Sequence, residues 1–507
     1  MHKTRRSGIS AAELFKRGEG ITYDDFNILD TEFTDIDRGD INLKTDLGKG
    51  IYLNIPIISS PMDTVTNAAL CIALGLEGGI GCLHYNHKKP DGSVDIDQQI
   101  REIELVKRFE SGFIEDPIVL SPENTIAQAI GIGEKYNVGK GFIDTFPVTE
   151  GGLPHGKLLG MLRKQDFSRA KHTELKVKDR MVPLEKLLQE GQVSEWPITL
   201  SQANKKIWDL HVLSLPISEK NGNLKYLVTR ADLDKNEEFP NATKDDKKRI
   251  RVLFAIETWE KLGYERAERG FAAGADGVVP DTSQGFTKYS FNMLKYLVKK
   301  YPDKLIIGGN TSTPEAYRAI AKLNVDLNRL GQGSGASCTT IDAIGIGRAG
   351  AAGVYDCTRE KSKLKILTDG GLKKVSDIVK ALTIGADCVM LGYLLAGTEE
   401  SPGETIIDSQ SGLPIKVYRG MGSKEANVGG GLRGYSRLPQ GVSGHVNYRG
   451  SVHSWIPLIT DGLTSALHTL NCSSIDELHK KMYSGEIRFE RRTLGSMNET
   501  GVGDLIK

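Results

Sequence analysis

The stretch from Ile366 to Gly392, ILTDGGLKKVSDIVKALTIGADCVMLG, contains one whole unit of the fold. Its two ends, Ile366-Leu-Thr-Asp-Gly-Gly371 and Ala386-Asp-Cys-Val-Met-Leu-Gly392, are short apolar runs that finish in a polar residue or a glycine, as buried parallel strands do. An amphipathic helical stretch joins them, so the order is strand, helix, strand. The same rhythm runs from about Arg251, through Gly277-Val-Val-Pro-Asp281 and Leu305-Ile-Ile-Gly-Gly-Asn310. An earlier run, Ile55-Pro-Ile-Ile-Ser-Ser-Pro-Met-Asp63, matches it, which predicts one α/β domain split by an insertion. A (β/α)8 TIM barrel suits this pattern, because its ligands gather where the C-terminal ends of strands meet the following loops. The alternative, an open doubly wound sheet, wants a dinucleotide fingerprint near its first strand, and no G-x-G-x-x-G stands between a strand and a helix.

Within the later part of the barrel, Arg329-Leu-Gly-Gln-Gly-Ser-Gly-Ala-Ser-Cys-Thr-Thr340 places one thiol in a loop too rich in glycine for ordinary packing. Gly331, Gly333 and Gly335 allow backbone conformations closed to residues with a Cβ, so a ligand can approach amides and carbonyls directly. The reading is a phosphate or ion site with Cys338 as a nucleophile. A tight strand-to-helix loop with a small buried cysteine is the plainer alternative.

The composition points the same way. A chain of 507 residues, 39% of them hydrophobic, can bury a large core and predicts two domains. Its 66 basic and 65 acidic side chains leave a formal charge of +1, which supplies no global field for nucleic acid or an anionic membrane, so small-molecule partners are expected. Cys71, Cys82, Cys338, Cys357, Cys388 and Cys472 show no CxxC or zinc-finger spacing, and no secretory leader or membrane-length apolar span is visible. The end Asp504-Leu-Ile-Lys507 is not a peroxisome tripeptide. These features predict a reduced, cytoplasmic enzyme.

The insertion carries an internal echo. Leu158-Leu-Gly-Met-Leu-Arg-Lys-Gln-Asp-Phe167 parallels Leu224-Lys-Tyr-Leu-Val-Thr-Arg-Ala-Asp-Leu233, each preceded by a helical stretch, Ile126 to Lys135 and Ser201 to Leu210. This resembles a tandem cystathionine-β-synthase (CBS, Bateman) pair, a regulatory module that binds adenine or guanine nucleotides. That resemblance implies a Ser/Thr-x-x-Asp motif whose aspartate holds ribose hydroxyls. Thr229 to Asp232 fits, whereas in the first copy Arg163 stands in the hydroxyl position ahead of Asp166. The domains are then 1–115, the first part of the barrel; 116–236, the tandem CBS domain; and 237–507, the remainder of the barrel. A purely structural insertion is the alternative.

The ordered series Ile21-Thr-Tyr-Asp-Asp-Phe26, Ser59-Ser-Pro-Met-Asp-Thr-Val65, Asp281-Thr-Ser-Gln-Gly285, Gly308-Gly-Asn310, the cysteine loop, Asp369-Gly-Gly371, Tyr418-Arg-Gly-Met-Gly-Ser423 and Gln440-Gly-Val-Ser-Gly444 resembles the IMP dehydrogenase/GMP reductase family over nearly all of the chain. The resemblance implies a barrel with the CBS insertion, assembled as homotetramers that can pair into octamers. It implies that Cys338 attacks C2 of a bound purine nucleotide, GMP or IMP, while hydride moves between C2 and a nicotinamide, NADPH/NADP or NAD. Thr340 and Gln440 would join the catalytic group. Asp369 would accept from the ribose hydroxyls; Gly370, Gly371 and Gly392 would offer amides to the phosphate, with Ser334, Tyr393 and Tyr418 nearby. Gly420, Met421 and Gly422 would border the base, and Arg437 would hold the nucleotide. Asp281, Ser283, Asn310, Gly331 and Gly333 would serve the cofactor. A potassium ion would take carbonyls of Gly333, Gly335 and Cys338, with Glu499, Thr500 and Gly501 of a neighbouring copy. Thr229, Asp232 and Asp166 would meet the regulatory purine nucleotide.

The chain departs from the family pattern in places. Ala336 and Tyr393 stand where phosphate-binding serines are usual, and Ser334 is the expected substitute for the first. In IMP dehydrogenases an Arg-Tyr pair on a mobile flap activates water, but Val428 and Gly429 occupy the expected positions. The flap Gly430-Gly-Leu-Arg-Gly-Tyr-Ser-Arg-Leu-Pro-Gln-Gly441 is instead ordered like that of GMP reductase, with Gln440 in place of its glutamate. A displaced Arg433 and Tyr435 pair is the dehydrogenase alternative. Since function follows the site rather than the fold, the flap favours GMP reductase, ahead of IMP dehydrogenase and of a nucleotide sensor without catalysis.

Overall fold

The computed structural model describes residues 7–16, 18–109, 113–136, 143, 145–230, 238–360, 362, 364–427 and 438–499. The chain divides into two compact units, Met1–Ile103 with Arg251–Lys507, and Glu104–Ile250.

The first unit is a TIM barrel. Its eight parallel strands are β1 (Ile57–Ser59), β2 (Gly81–Leu83), β3 (Val252–Ile256), β4 (Gly277–Pro280), β5 (Leu305–Thr311), β6 (Leu327–Leu330), β7 (Lys365–Asp369) and β8 (Cys388–Leu391). Each pairs with its sequence neighbour, and β8 returns to β1 with Val389 opposite Ile57. The ring closes between β1 and β2, where Ser59 N–H donates to Ile80 O and Ile80 N–H to Ile57 O, each at 3.1 Å.

Every residue of β1 to β6 is buried, as expected when helices cover the outer face of a parallel sheet and the inner face fills its own core. In β3 the two faces separate by alternation. Leu253 and Ala255 join the inner core with Val279, Leu305, Ile307 and Leu367. Phe254 points the other way and meets Phe271 of the following helix, Glu260–Ala272, edge-on at 5.4 Å. The outer helices begin where capping residues stand. Thr287 accepts the Ser290 N–H at the start of Lys288–Lys300, and Thr313, followed by Pro314, does the same for Ala316.

An antiparallel sheet of Thr405–Ile407, Pro414–Arg419 and Ser443–Asn447 follows β8. Its central strand delivers Tyr418 opposite Gly444 and Arg419 opposite Ser443, which aims Gly420 to Ser423 at the strand C-termini.

The second unit contains two copies of one arrangement. Helices Ile126–Lys135 and Leu200–Asp209 start with the same reciprocal cap, Thr125 with Gln128 and Thr199 with Gln202. Each is followed by part of a three-stranded sheet: Phe146–Thr149, Leu158–Leu162 and Val182–Pro183 in one, and Ser194–Glu195, Ser214–Ser218 and Leu224–Thr229 in the other. Each copy has its own apolar centre, around Ile126, Phe146 and Leu162 and around Ile207, Leu215 and Val228. Among the described residues, no helix is long and apolar enough to cross a membrane.

Candidate active site

The C-terminal ends of the barrel strands open into one cavity. β4 leads into Asp281, Thr282 and Ser283, β5 carries Asn310, and the segment after β6 brings Gly331, Gly333, Ser334, Gly335, Cys338 and Thr340. β7 contributes Asp369, with Gly370 and Gly371 after it, and β8 leads to Gly392 and Tyr393. Tyr418, Gly420, Met421, Gly422 and Gln440 complete the wall. Residues spread over 160 positions of sequence thus face one space, where a barrel places its ligands.

Cys338 is partly exposed there, and its Sγ lies 3.1 Å from Thr340 Oγ1. The loop around it is pinned on both sides. Thr339 N–H donates to Gln440 O at 3.0 Å, Val442 N–H to Ser337 O at 2.9 Å, and Cys338 N–H to Gly335 O at 3.0 Å. The other five cysteines are buried. Burial pushes the thiols of Cys357 and Cys472 up to about 12 and raises those of Cys71, Cys82 and Cys388 as well, which keeps them unreactive.

Two of the three loop glycines use the freedom expected of them. Gly331 has φ +151°, and a Cβ on it would lie 1.9 Å from Asp369 O; Gly333 has φ +81°. Gly335 differs from the expectation, since it adopts no positive φ and a Cβ there would make an ordinary 3.4 Å contact with Cys338 Cβ.

Behind the thiol lies a buried charge network whose centre the sequence reading quoted but did not assign. Arg329, 7% exposed, donates from Nη1 to Asp281 Oδ1 at 2.7 Å and from Nε to Asp369 Oδ2 at 2.9 Å. Burial works against the guanidinium charge, but the carboxylates of Asp369 and Asp281 outweigh it and raise its pKa. Asn310 Nδ2 donates to the same Asp369 oxygen and to Gly331 O, each at 3.0 Å. Thr282 Oγ1 accepts the Asn310 N–H at 3.0 Å and donates to Gly309 O at 2.9 Å. A charged residue between the two leucines of a barrel strand, Leu327-Asn-Arg-Leu330, was the signal available beforehand.

At the other side of the cavity the backbone dominates. Gly370 and Gly371 have φ of +84° and +78°, and a Cβ on Gly370 would lie 2.8 Å from Ser334 Oγ. Ser334 Oγ itself leans on Asp369 O at 3.4 Å. A Cβ on Gly392 would meet Met62 Sδ at 3.2 Å and Tyr418 OH at 3.4 Å. Burial pushes the Tyr418 phenol up to about 12, against a smaller opposing effect from its hydrogen bond with Ser337.

A second groove shares Asp281, Thr282, Ser283 and Gln440 with the first and continues past Tyr85, Glu257, Trp259 and Tyr289. Trp259 and Tyr289 are 52% and 70% exposed. Beside it the fully buried Arg266 pairs with Glu257 at 2.7 Å and donates to Gln99 Oε1 at 2.9 Å, a cluster the sequence reading also did not find.

Some expected residues fall elsewhere. Arg437, Thr500, Gly501 and Asp232 lie outside the described residues, as do Val428, Gly429, Arg433 and Tyr435 of the flap. Glu499 is exposed at the end of the helix Leu494–Glu499. In the second unit, Thr229 ends its strand, while the Asp166 carboxylate accepts the Arg163 N–H at 2.8 Å and its Nε at 3.2 Å. Arg163 therefore occupies the carboxylate from the position where a hydroxyl residue was expected. No cluster of three or more His, Cys, Asp or Glu side chains suited to a metal ion occurs among the described residues.

Comparison with known proteins agrees with this geometry. Residues 20–503 match the family described as IMP dehydrogenase / GMP reductase domain. An inosine-5'-monophosphate dehydrogenase of Schizosaccharomyces pombe is 35% identical over 99% of this chain and 94% of its own length. One from Toxoplasma gondii is 34% identical over 96% of each. Among solved structures, a cysteine-to-alanine variant of GMP reductase from Trypanosoma brucei, in complex with guanosine 5'-monophosphate, superimposes with a TM-score of 0.84 at 31% identity, covering 96% of this chain and 98% of that one. A second structure of that variant superimposes with a TM-score of 0.70 at 29% identity, covering 96% of this chain and 100% of that one.

Proposed function

The chain belongs to the IMP dehydrogenase/GMP reductase family of oxidoreductases, and we propose that within it this protein is a GMP reductase, converting GMP and NADPH to IMP, ammonia and NADP+. The flap carries this reading: it lacks the Arg-Tyr pair at 428 and 429 that water activation would need. The near full-length match to a GMP reductase supports it.

In this reaction the Cys338 thiolate adds to C2 of the guanine ring, and the 2-amino group leaves as ammonia, giving a thioimidate. Hydride then reaches C2, the C–S bond breaks, and the thiolate is restored, so one hydride and one amino group exchange at a single carbon. The bound nicotinamide supplies that hydride. Thr340, whose Oγ1 lies 3.1 Å from the sulfur, would pass a proton to the departing nitrogen, and Gln440 lines the same wall. Asp369 would take the ribose hydroxyls, with Arg329 and Asn310 fixing its orientation. The second groove suits a dinucleotide: Trp259 and Tyr289 offer exposed rings for a flat heterocycle, and the groove runs through Asp281 and Ser283 to the thiol cavity.

A potassium ion would take the carbonyls of Gly333, Gly335 and Cys338; that of Gly335 accepts the Cys338 N–H and keeps a second lone pair for the ion. The duplicated arrangement of the second unit supports a tandem CBS module for purine nucleotides, held through Thr229 and Asp232 more readily than through Asp166. Assembly as a homotetramer follows the family.

The second reading is IMP dehydrogenase, favoured by the names of the relatives at 34–35% identity. One assay separates the two, following absorbance at the reduced-nicotinamide band with GMP plus NADPH and, separately, IMP plus NAD+. Loss of absorbance with the first pair is expected. A rise with the second pair and no loss with the first would overturn the reductase assignment, and full biological activity of Cys338→Ala would overturn both enzyme readings.

A further inference from the structure

Arg266 is fully buried on the helix Glu260–Ala272, and no step of the reaction above uses it. Its guanidinium is committed on three nitrogens. Nε and Nη2 donate to Glu257 Oε2 and Oε1 at 2.7 and 3.4 Å, and Nη1 donates to Gln99 Oε1 at 2.9 Å. Gln99, itself fully buried on the helix Ile96–Arg108, donates through Nε2 to Ala255 O at 2.9 Å and to Leu83 O at 3.4 Å. One arginine and one glutamine therefore fasten the C-terminal end of β2 to that of β3.

Those two ends lead straight into the second groove. Tyr85 follows Leu83 by two residues, is 7% exposed, and has its ring centre 5.6 Å from the Arg266 guanidinium carbon. Glu257, Thr258 and Trp259 follow β3 directly, and with Tyr85 they line the groove. The start of the arginine's own helix is drawn against the same segment. Gly263 N–H donates to Trp259 O at 2.7 Å, and a Cβ on Gly263 would lie 2.4 Å from Glu257 O, so only glycine permits that approach. Both oxygens of the Glu257 carboxylate are taken by Arg266, so this carboxylate braces the wall from within.

We infer that Arg266 is a positioning residue for the dinucleotide, holding Tyr85 and residues 257–259 as a preformed wall of the second groove. The inference rests on the reading of that groove as the dinucleotide site, and it holds for either direction of the reaction. A packed apolar side chain at 266 would avoid the desolvation of a buried charge, but it could not fix Glu257 and Gln99 in one arrangement. A wall already ordered does not have to be ordered by the incoming cofactor, which strengthens its binding. The thiol cavity, lined by other residues, is left as it was.

Steady-state kinetics of the full-length protein test this, using the mononucleotide and dinucleotide pair that the absorbance assay identifies. Arg266→Met should raise the KM for the dinucleotide about tenfold, with the KM for the mononucleotide and kcat staying within about twofold. Arg266→Lys keeps the charge without the fork and should lie between Arg266→Met and the parent. Because Arg266→Met leaves Glu257 buried without its cation, Arg266→Met/Glu257→Gln, which removes both charges, is measured beside it and should show the same split. An unchanged dinucleotide KM in the folded double variant would overturn the role. Equal rises in both KM values would do so too, marking a merely structural arginine. Trp259→Ala, which strips a ring from the groove, separates this from the groove reading. An unchanged dinucleotide KM there would remove that reading and the positioning role with it, whereas a raised KM there beside unmoved Arg266 variants would overturn the positioning role alone.

Discussion

Arg329 Nε donates to Asp369 Oδ2 at 2.9 Å across the adjacent strands β6 and β7, with both side chains largely withdrawn from water. The same guanidinium holds Asp281 on the opposite wall, so the residue assigned to the ribose and one assigned to the nicotinamide share a single buried cation. Arg329→Gln would leave two carboxylates facing each other in low dielectric. A destabilisation of about 3–5 kcal/mol is expected, with a large rise in the KM for nucleotide. Arg329→Lys keeps the charge without the fork and should fall between the two. Denaturant unfolding together with steady-state kinetics checks both, and a neutral Arg329→Gln would disprove the role of the pair.

The contrast between Cys338 and the other five cysteines predicts selective labelling. Iodoacetamide at neutral pH should modify one residue of the native protein, Cys338, and GMP should slow the reaction by covering it. Peptide mass spectrometry reads the site. Labelling of Cys71, Cys82 or Cys388 at a comparable rate in the folded protein would contradict the burial described.

A pH effect on stability follows from Glu102. Burial holds its carboxyl up to about 7, against smaller opposing effects from hydrogen bonds with Gln98 and the Ala68 N–H. In the unfolded chain the group ionises near about 4.3. The native state therefore binds more protons between these values, and this contribution to stability is lost as pH rises across the window. Glu102→Gln should match the parent protein near pH 4 and exceed it by up to on the order of 3 kcal/mol at pH 8. His84 and His87, whose imidazoles burial holds down to about 3, act in the opposite sense and weaken the fold as pH falls below about 6.5. They are common to both proteins and cancel in the difference. Parallel denaturant curves at several pH values test this, and a pH-independent difference would refute it.

The glycines of the cysteine loop should not be equivalent. Gly331→Ala forces a Cβ to 1.9 Å from Asp369 O at φ +151°, so it should destabilise the barrel and abolish activity. Gly335→Ala adds only an ordinary contact and should shift Tm by no more than a few degrees. Thermal melts of the two variants decide it; equal shifts would mean that the loop is differently shaped.

The sequence by itself determined the barrel, the thiol loop and most of the wall residues. Each of these is written in local signals: apolar runs ending in Asp369 or Gly392, glycines around one cysteine, a helix beginning at a capping threonine. Those signals depend on residues a few positions apart, where the backbone period and the residue type already fix what is possible. The tertiary structure alone decided which of these groups act together. Arg329 could be seen as a charge in a barrel strand, but its partners, Asp281 and Asp369, became known only once strand order and register placed β4, β6 and β7 around one interior. Arg266 with Glu257, and Arg449 with Tyr393, are likewise pairs made across the fold. The same packing showed that Gly335 needs no special backbone conformation while Gly331 does, because Gly331 takes a positive φ and lies against the Asp369 carbonyl. Burial is what turns these meetings into chemistry, and burial belongs to the whole chain rather than to any segment of it.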